Sequence, residues 1–237
     1  MEKTITSKNQ HSSNELITMT TYETYVTQII SKIKRNRISS TEVADCLGKS
    51  GAVPGVFPLN VGHFRVGCIR WTYALNESNW EFHKQITDVN EGDILLVEPF
   101  GCNQRAIFGS LVSKYLILYR QVAGIVVQGY LRDIPHLRKE NWPIWCTGGT
   151  PIGCFNRENE VDLDPAIAAE RRERYDGAIA VCDDSGVIVI PKDQANRELL
   201  EKLDWIEEQE DIWFDCIDRR KWNTYDTVCL KKYLEQK

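Results

Sequence analysis

The stretch that decides the fold is EGDILLVEPFGCNQRAIFGSLVSKYLILYRQVAGIVVQGYLRD, residues 91–133. It contains two short, nearly unbroken apolar runs, DILLVE and GIVVQG, which are typical of strands covered on both faces of a sheet. Between them lie a glycine-containing loop and a segment at residues 104–119, which has Ile107, Leu111, Tyr115 and Leu118 on a stripe of helical spacing. A strand, a crossover helix and a second strand form a βαβ unit, so the stretch predicts a parallel sheet.

The segments on either side extend this α/β pattern. Apolar spacing predicts an amphipathic helix at residues 22–33, and SSTEVADCLG, residues 39–48, predicts a short helix that begins with a capping box. Residues 177–191, GAIAVCDDSGVIVIP, predict two strands joined by a turn at DDSG. A long amphipathic helix is predicted at residues 192–209 and closes the core.

Composition excludes several classes of protein. The 237 residues are 42% hydrophobic and carry a formal net charge of −5, so the chain shows no basic face and we expect no direct nucleic-acid binding. The eight cysteines include no CxxC pair, which favours reduced thiols over a zinc site or a disulfide framework. No apolar run reaches about eighteen residues, so we expect no membrane span and a cytoplasmic location.

The same features set the predicted domain organisation. Residues 1–20 are polar and lack the hydrophobic region of a signal peptide, so we predict a disordered leader there. No repeat, low-complexity tract or linker interrupts the rest of the chain. We therefore predict a single α/β domain at residues 21–215 and a C-terminal extension at residues 216–237.

A candidate site follows the second strand, where Arg132 and Asp133 are adjacent. Ligands of parallel α/β sheets bind beyond the carboxyl ends of the strands. An arginine can hold a carboxylate through two parallel hydrogen bonds, and an aspartate can bind Mg²⁺ or Mn²⁺. The loop before Gly109 can direct free N–H groups toward an anion. This combination suits a 2-oxo acid, whose enolate a divalent metal stabilises as a Lewis acid.

Structural interpretations of the same residues stay open on the sequence alone. An Arg-Asp pair after a strand is also typical of a helix cap next to a surface charge. His136 lies one turn beyond Arg132, but a lone histidine is commonly a surface or capping residue, and we do not include it in the site. Four tryptophans are interpreted as packing residues: Trp142, Trp145, Trp205 and Trp213.

The order of motifs resembles the RraA-like family. The resemblance covers residues 38–195 and rests on GDILLVEPFG, AIFGSLVSKYL and AGIVVQGYLRDIPHLRKENWPIWCTGGTP, with SSTEVADCLGKSG before them and CDDSGVIVIP after them. The family includes class II 4-hydroxy-4-methyl-2-oxoglutarate/4-carboxy-4-hydroxy-2-oxoadipate aldolases and the regulator of ribonuclease E activity A. It implies an α/β fold related to the swivelling phosphohistidine-type domain, assembled as homotrimers or hexamers with sites at subunit interfaces.

The resemblance also implies an activity and roles for particular residues. The aldolase members cleave 4-hydroxy-2-oxo dicarboxylates or tricarboxylates to pyruvate and a second oxo acid, and they decarboxylate oxaloacetate with a divalent metal. Carried over by position, Arg132 is the catalytic residue and binds the substrate, and Asp133 is the metal ligand. The amides around Gly109, Ser110 and Leu111 would hold the pyruvyl carboxylate.

Two departures from the family pattern limit this assignment. Family aldolases carry an acid where this chain has Ser110, and serine is a far weaker base. Some aldolases also take an acid from the C-terminal helix of a neighbouring subunit, for which Glu207, Glu208 and Glu210 are the candidates. Three hypotheses follow: a metal-dependent lyase on a 2-oxo acid, which we favour; a non-catalytic binding protein of the ribonuclease-regulator type; and a lyase or isomerase for a bulkier oxo acid.

Overall fold

A computed structural model describes residues 21–236 of the chain, and the predicted leader at residues 1–20 lies outside them. Within this range the strands form one sheet in the order β1-β5-β4-β3-β2-β6-β7. The strands are β1 (Phe57–Pro58), β2 (Arg65–Leu75), β3 (Ile94–Phe100), β4 (Gly124–Leu131), β5 (Ile144–Gly149), β6 (Ile179–Asp183) and β7 (Gly186–Ile190). The α-helices are α1 (Thr21–Asn36), α2 (Ser40–Cys46), α3 (Trp80–Gln85), α4 (Ser110–Lys114), α5 (Ile134–Lys139), α6 (Pro165–Tyr175) and α7 (Arg197–Phe214).

The centre of the sheet is parallel, as the βαβ pattern predicted. Strands β2, β3, β4 and β5 run in the same direction, while β1, β6 and β7 join the edges in antiparallel pairs. Because parallel strands end at the same edge of a sheet, the segments that follow β2, β3, β4 and β5 meet there. This edge positions the candidate site.

Three buried clusters form the core. Helices α3, α4 and α5 cover one face of the central strands, and α6 covers the opposite face. Helices α1, α2 and α7 pack on the β6–β7 hairpin. The chain is thus a mixed α/β protein. Within residues 21–236, no helix is both long and apolar enough to cross a bilayer.

Several local predictions are confirmed. Ser39 caps α2 and forms the predicted capping box with Glu42. The strands β6 and β7 pair from Ile179 opposite Ile190 to Asp183 opposite Gly186, which is the predicted hairpin. The spacing at residues 22–33 does mark a helix, α1, whose apolar face is buried.

The prediction of a helix over residues 104–119 is wrong at its start. The amide of Ala106 donates to Ile152 O, and the amide of Ile107 donates to Tyr130 O, so this part is extended and bonded to distant segments. The α-helix begins at Ser110 and continues as a π-helical turn from Tyr115 to Tyr119. The predicted apolar stripe is wrong in part: Ile107 is buried and Tyr115 packs against the core, whereas Leu111 is 82% exposed and Leu118 is 51% exposed.

The C-terminal part differs in detail from the prediction. The long helix begins at Arg197 rather than at residue 192, because the side chain of Asn196 caps it by accepting a hydrogen bond from Leu199 N. Helix α6 was not predicted. After residue 215 the chain packs back on α7, where the hydroxyl of Tyr233 donates to Gln209 Oε1. The domain boundary at residue 215 stays a prediction.

Candidate functional site

A cavity of about 180 Å³ lies at the carboxyl edge of the parallel strands. Each of the four parallel strands is followed by a segment that lines it. Asn79 and His83 follow β2, residues 106–109 follow β3, Arg132 and Asp133 follow β4, and Gly153, Cys154 and Asn156 follow β5. The topology alone therefore brings together residues that lie up to 77 positions apart, as in the hydrogen bond from Asn156 to Asn79.

Arg132 reaches the cavity directly from the end of β4. Its amide donates to Phe108 O at 3.0 Å, which fixes its backbone against the loop that follows β3. Its side chain runs past Gly153, where a Cβ atom would lie 3.0 Å from Nη1. Within residues 21–236 the guanidinium has no hydrogen-bond or ion-pair partner. Its donors are thus available to a ligand.

Asp133 turns its side chain toward the helix that follows β3. It has a left-handed backbone, with φ of 59° and ψ of 31°, which turns the chain sharply after the strand. Its Oδ2 accepts hydrogen bonds from both the amide and the hydroxyl of Ser110, each at 3.0 Å. These bonds, the amide of Ser110 first, and the nearby cation of Arg132 hold the pKa of Asp133 below its ordinary value.

Gly109 permits the close approach of these groups. A Cβ atom at this position would lie 2.3 Å from Asp133 Oδ2 and 2.7 Å from Arg132 Cγ. The residue has an extended backbone with φ of −145°, so the requirement for glycine is one of space rather than of backbone conformation. The family resemblance implies that Gly109 binds the substrate carboxylate through its amide. The structure adds a steric reason for a glycine at this position.

The predicted substrate-binding residues occupy the same edge of the sheet. The cavity is lined by Gly109, Leu111, Arg132 and Asp133. Ser110 is not one of the lining residues, but its hydroxyl donates to Asp133, which is. Arg132 and Asp133 are exposed in the single chain. The first amides of a helix have no acceptor within that helix, and the amide of Ser110 uses Asp133 instead.

The donor set fits a hydrated divalent cation better than a fully protein-bound one. Among the described residues no three His, Cys, Asp or Glu side chains come together as a metal-binding group. Mg²⁺ commonly keeps several waters and is held by one or two carboxylates together with the substrate. Asp133 offers such a carboxylate, because Ser110 uses only Oδ2 and no hydrogen bond in the described part of the chain involves Oδ1.

Sequence reasoning missed the cavity-lining residues on the segments that follow β2 and β5. His83 and Cys154 line the cavity, although they lie far from Arg132 in sequence. Burial lowers the pKa of His83. The pKa of Cys154 is raised, first by its contact with the thiol of Cys102 and then by burial. Their positions on the segments that follow two parallel strands, β2 and β5, are the sequence signal that could have identified them.

Other candidates from the sequence lie elsewhere. Glu207 accepts hydrogen bonds from Asn36 and pairs with Lys32 on α1, and neither Glu208 nor Glu210 lines the cavity of its own chain. His136 lies outside the cavity lining, 3.8 Å from Glu140. Two of the four tryptophans, at positions 142 and 145, are buried as predicted, whereas the one at position 205 is 52% exposed.

Comparisons with known proteins agree with this fold. The family described as "RraA-like: Aldolase/RraA" matches residues 40–189. A protein of Halalkalibacterium halodurans named "Putative 4-hydroxy-4-methyl-2-oxoglutarate aldolase" is 30% identical over 166 residues, which are 68% of this chain and 77% of that protein.

Two solved structures are similar. The crystal structure of RraAS2 from Streptomyces coelicolor, described as an unusual member of the RNase ES inhibitor RraA protein family, is 26% identical. It has a TM-score of 0.61 and covers 78% of this chain and 94% of its own. An uncharacterized protein from Pseudomonas syringae is 20% identical with a TM-score of 0.63, over 85% and 96% of the two chains, and shows the fold alone. The chain therefore belongs to the RraA-like family.

Proposed function

We propose that the protein is a divalent-metal-dependent lyase that acts on a 2-oxo acid. The proposed reactions are cleavage of a 4-hydroxy-2-oxo dicarboxylate to pyruvate and a second oxo acid, and decarboxylation of oxaloacetate. One observation carries the proposal: the guanidinium of Arg132 and the carboxylate of Asp133 border the same cavity, and within residues 21–236 the guanidinium has no partner and Asp133 Oδ1 accepts no hydrogen bond. The relative from H. halodurans is named for an aldolase of this substrate class.

Arg132 and Asp133 divide the work of binding. The guanidinium of Arg132 donates to the substrate's carboxylate and keto oxygen, since its planar fork matches two acceptors at once. Asp133 holds Mg²⁺ or Mn²⁺ through the oxygen that Ser110 leaves free. A bound divalent ion would supply Lewis-acid stabilisation of the enolate. The amides of Gly109 and Leu111 provide the anion-binding side of the pocket, whereas the amide of Ser110, also implicated by the family resemblance, donates to Asp133 instead.

Ser110 has a role different from that of the acid in related aldolases. It donates both its hydrogen bonds to Asp133 and keeps that carboxylate ionised and oriented. A serine so engaged does not serve as the base of the reaction. We propose that residue 110 positions the metal ligand in this chain and that the proton transfer belongs to another group.

A neighbouring copy of the chain belongs to the same proposal. Arg132 and Asp133 are exposed, and Leu111 next to them is 82% exposed. In a homotrimer or hexamer, as the family resemblance implies, a neighbouring copy would cover the opening of the cavity at these exposed residues and exclude water from the reacting groups. The mass of the protein in solution, measured by light scattering, tests this assembly.

Metal dependence is the direct test of the function. We expect the purified protein to decarboxylate oxaloacetate and to cleave 4-hydroxy-4-methyl-2-oxoglutarate with Mg²⁺ or Mn²⁺, and to lose both activities in a chelator. Pyruvate release in a coupled assay measures both reactions. Equal rates with and without metal, after correction for the metal's own catalysis of decarboxylation, would favour the non-catalytic binding protein instead.

Replacing Gly109 by alanine is expected to lower kcat/KM about a hundredfold while the melting temperature stays nearly unchanged. The new methyl group would displace the Asp133 carboxylate, which it would approach to 2.3 Å, and a misplacement of about 1 Å at a reacting centre costs about that factor. We expect the fold to survive because the atoms that must shift belong to the side chains of two exposed residues, Arg132 and Asp133, and none of the nearest atoms is a backbone atom. Enzyme kinetics and thermal melting together measure the two effects.

Gly148→Ala is the matched control, since a Cβ atom there would meet only the ring of Tyr130, at 3.4 Å from Cε1 and 3.5 Å from Cδ1, which are ordinary contacts. We expect its kcat/KM to stay within twofold of wild type. If Gly109→Ala behaved like this control, the position of Asp133 would not matter to the reaction.

A further inference from the structure

We propose that the imidazole of His83 is the proton-transfer group of this site. The inference rests on the proposed lyase function and assigns the step that Ser110 cannot perform. When the C3–C4 bond of a 4-hydroxy-2-oxo acid breaks, its electron pair moves onto the 2-oxo group to give an enolate. His83 accepts the 4-hydroxyl proton as C4 becomes a carbonyl, and it then returns that proton to C3. The products are pyruvate and the second oxo acid, with no net gain or loss of protons.

The titratable groups of the cavity leave few alternatives. Besides the cation Arg132, the titratable side chains among its lining residues in the described part of the chain are His83, Asp133 and Cys154. Asp133 is a weak base, since its pKa is lowered by Ser110 and Arg132. Cys154 stays protonated near neutral pH, because its contact with Cys102 and burial raise its pKa. Histidine is the side chain whose ordinary pKa, about 6.5, suits proton transfer at neutral pH.

The free state of the His83 ring supports this role. The rings of His63 and His136 have polar partners, Asn141 and Glu140. The ring of His83 has no hydrogen-bond or ion-pair partner within residues 21–236, although it is half-buried and borders the cavity. Burial lowers its pKa, so the ring is neutral near pH 7 and can accept a proton.

Packing holds His83 at a fixed position relative to the loop that carries Gly109. Phe82, the preceding residue on α3, stacks on Phe108 with ring centroids 5.0 Å apart and an interplanar angle of 2°. The side chain of Asn79, just before α3, donates to Ile107 O at 2.8 Å. The helix of His83 and the loop between β3 and α4 are thus connected on two sides. A proton-transfer group needs such positioning to reach the reacting atoms.

Few charged side chains surround His83 in the described part of the chain. On its own helix, Glu81 and Lys84 pair with each other at 2.8 Å. Arg132 and Asp133 line the same cavity as His83, and burial alone accounts for the lowered pKa of His83. The pH profile of cleavage therefore reports the ring itself.

The test compares two reactions in His83→Gln. Aldol cleavage needs a base for the 4-hydroxyl proton, whereas decarboxylation of oxaloacetate releases CO₂ with no hydroxyl proton to accept, and the enolate that it leaves can take its C3 proton from water. We expect cleavage of 4-hydroxy-4-methyl-2-oxoglutarate to fall at least about a hundredfold in kcat, and Mg²⁺-dependent decarboxylation to fall less than tenfold. The rise of wild-type cleavage with pH, centred below about 6.5, should disappear in the variant. His63→Gln, which changes a half-buried histidine that bonds to Asn141 outside the cavity, should match wild type in both reactions.

Each other outcome counts against the proposal. Equal losses in both reactions would assign His83 a structural role, and cleavage within threefold of wild type would exclude it from the step while leaving the lyase function intact. A wild-type protein without metal-dependent turnover would overturn both proposals. A measurement on the wild type avoids any folding defect of the variant: the imidazole resonances of His83 should shift when pyruvate and Mg²⁺ are added, and unchanged resonances would overturn the inference.

Discussion

Replacing Asp133 by asparagine is expected to lower the Mg²⁺-dependent rate of oxaloacetate decarboxylation by about a thousandfold. The amide keeps the shape of the carboxylate, and its oxygen can still accept the hydrogen bonds from Ser110 that Oδ2 accepts now. The NH₂ group then replaces the free oxygen and cannot bind a cation. Loss of Lewis-acid stabilisation raises the free energy of the transition state by several kcal/mol, which corresponds to a decrease in rate of about a thousandfold.

The measurement is the initial rate as a function of Mg²⁺ concentration, with Asp184→Asn as a matched control. Asp184 also accepts hydrogen bonds from a backbone amide, that of Gly62 at 2.8 Å and 3.0 Å, but it does not line the cavity. We expect the control to keep the wild-type rate and the wild-type metal dependence. A similar metal response in Asp133→Asn would show that the cation binds elsewhere.

The acid side of the pH profile adds a second check on the same residue. Since hydrogen bonds from Ser110 and the cation of Arg132 lower the pKa of Asp133, the carboxylate stays ionised below the ordinary range for aspartate. The contribution of this residue to decarboxylation is therefore present above the lowered pKa and is lost as the pH falls through it. Ser110→Ala removes one of the two hydrogen bonds, and the loss should then begin at a higher pH.

The sequence predicted those parts of the molecule that depend on neighbouring residues. The capping box of Ser39 and Glu42, the hairpin of β6 and β7 and the βαβ unit all follow from local patterns, and the structure confirms them. Arg132 and Asp133 were also predictable as neighbours, because adjacent residues at the end of a strand stay together whatever the rest of the fold does.

Residues joined by long-range pairing could not be predicted in this way. Periodicity suggested a helix through Ala106, but its amide and carbonyl bond to the segment after β5, which no local window contains. His83 reaches the site for the same reason, since only the strand order places the end of β2 near the end of β4. The family resemblance implies an acid where this chain has Ser110, and only the structure shows that Ser110 donates twice to Asp133.

Replacing Arg132 by lysine is expected to lower kcat/KM about a hundredfold, mostly through a higher KM. Lysine keeps the positive charge but offers a point charge in place of two parallel donors, so it cannot hold the carboxylate and the keto oxygen together. A hydrogen bond to a charged group contributes about 1.5–3 kcal/mol, which corresponds to a factor of about ten to a hundred and more. The fold should not suffer, because the guanidinium has no partner to lose within residues 21–236.

Steady-state kinetics on both substrates measure this effect, and Arg138→Lys provides the control. Arg138 is an exposed arginine of α5 outside the cavity lining, so its conservative replacement should leave kcat and KM unchanged. If Arg132 acted only through its charge, lysine would suffice. The kcat/KM of Arg132→Lys would then stay within threefold of wild type and would fall with ionic strength as that of wild type does. The comparison thus separates geometric recognition of a 2-oxo acid from simple attraction of an anion, because only the first requires the fork of the guanidinium.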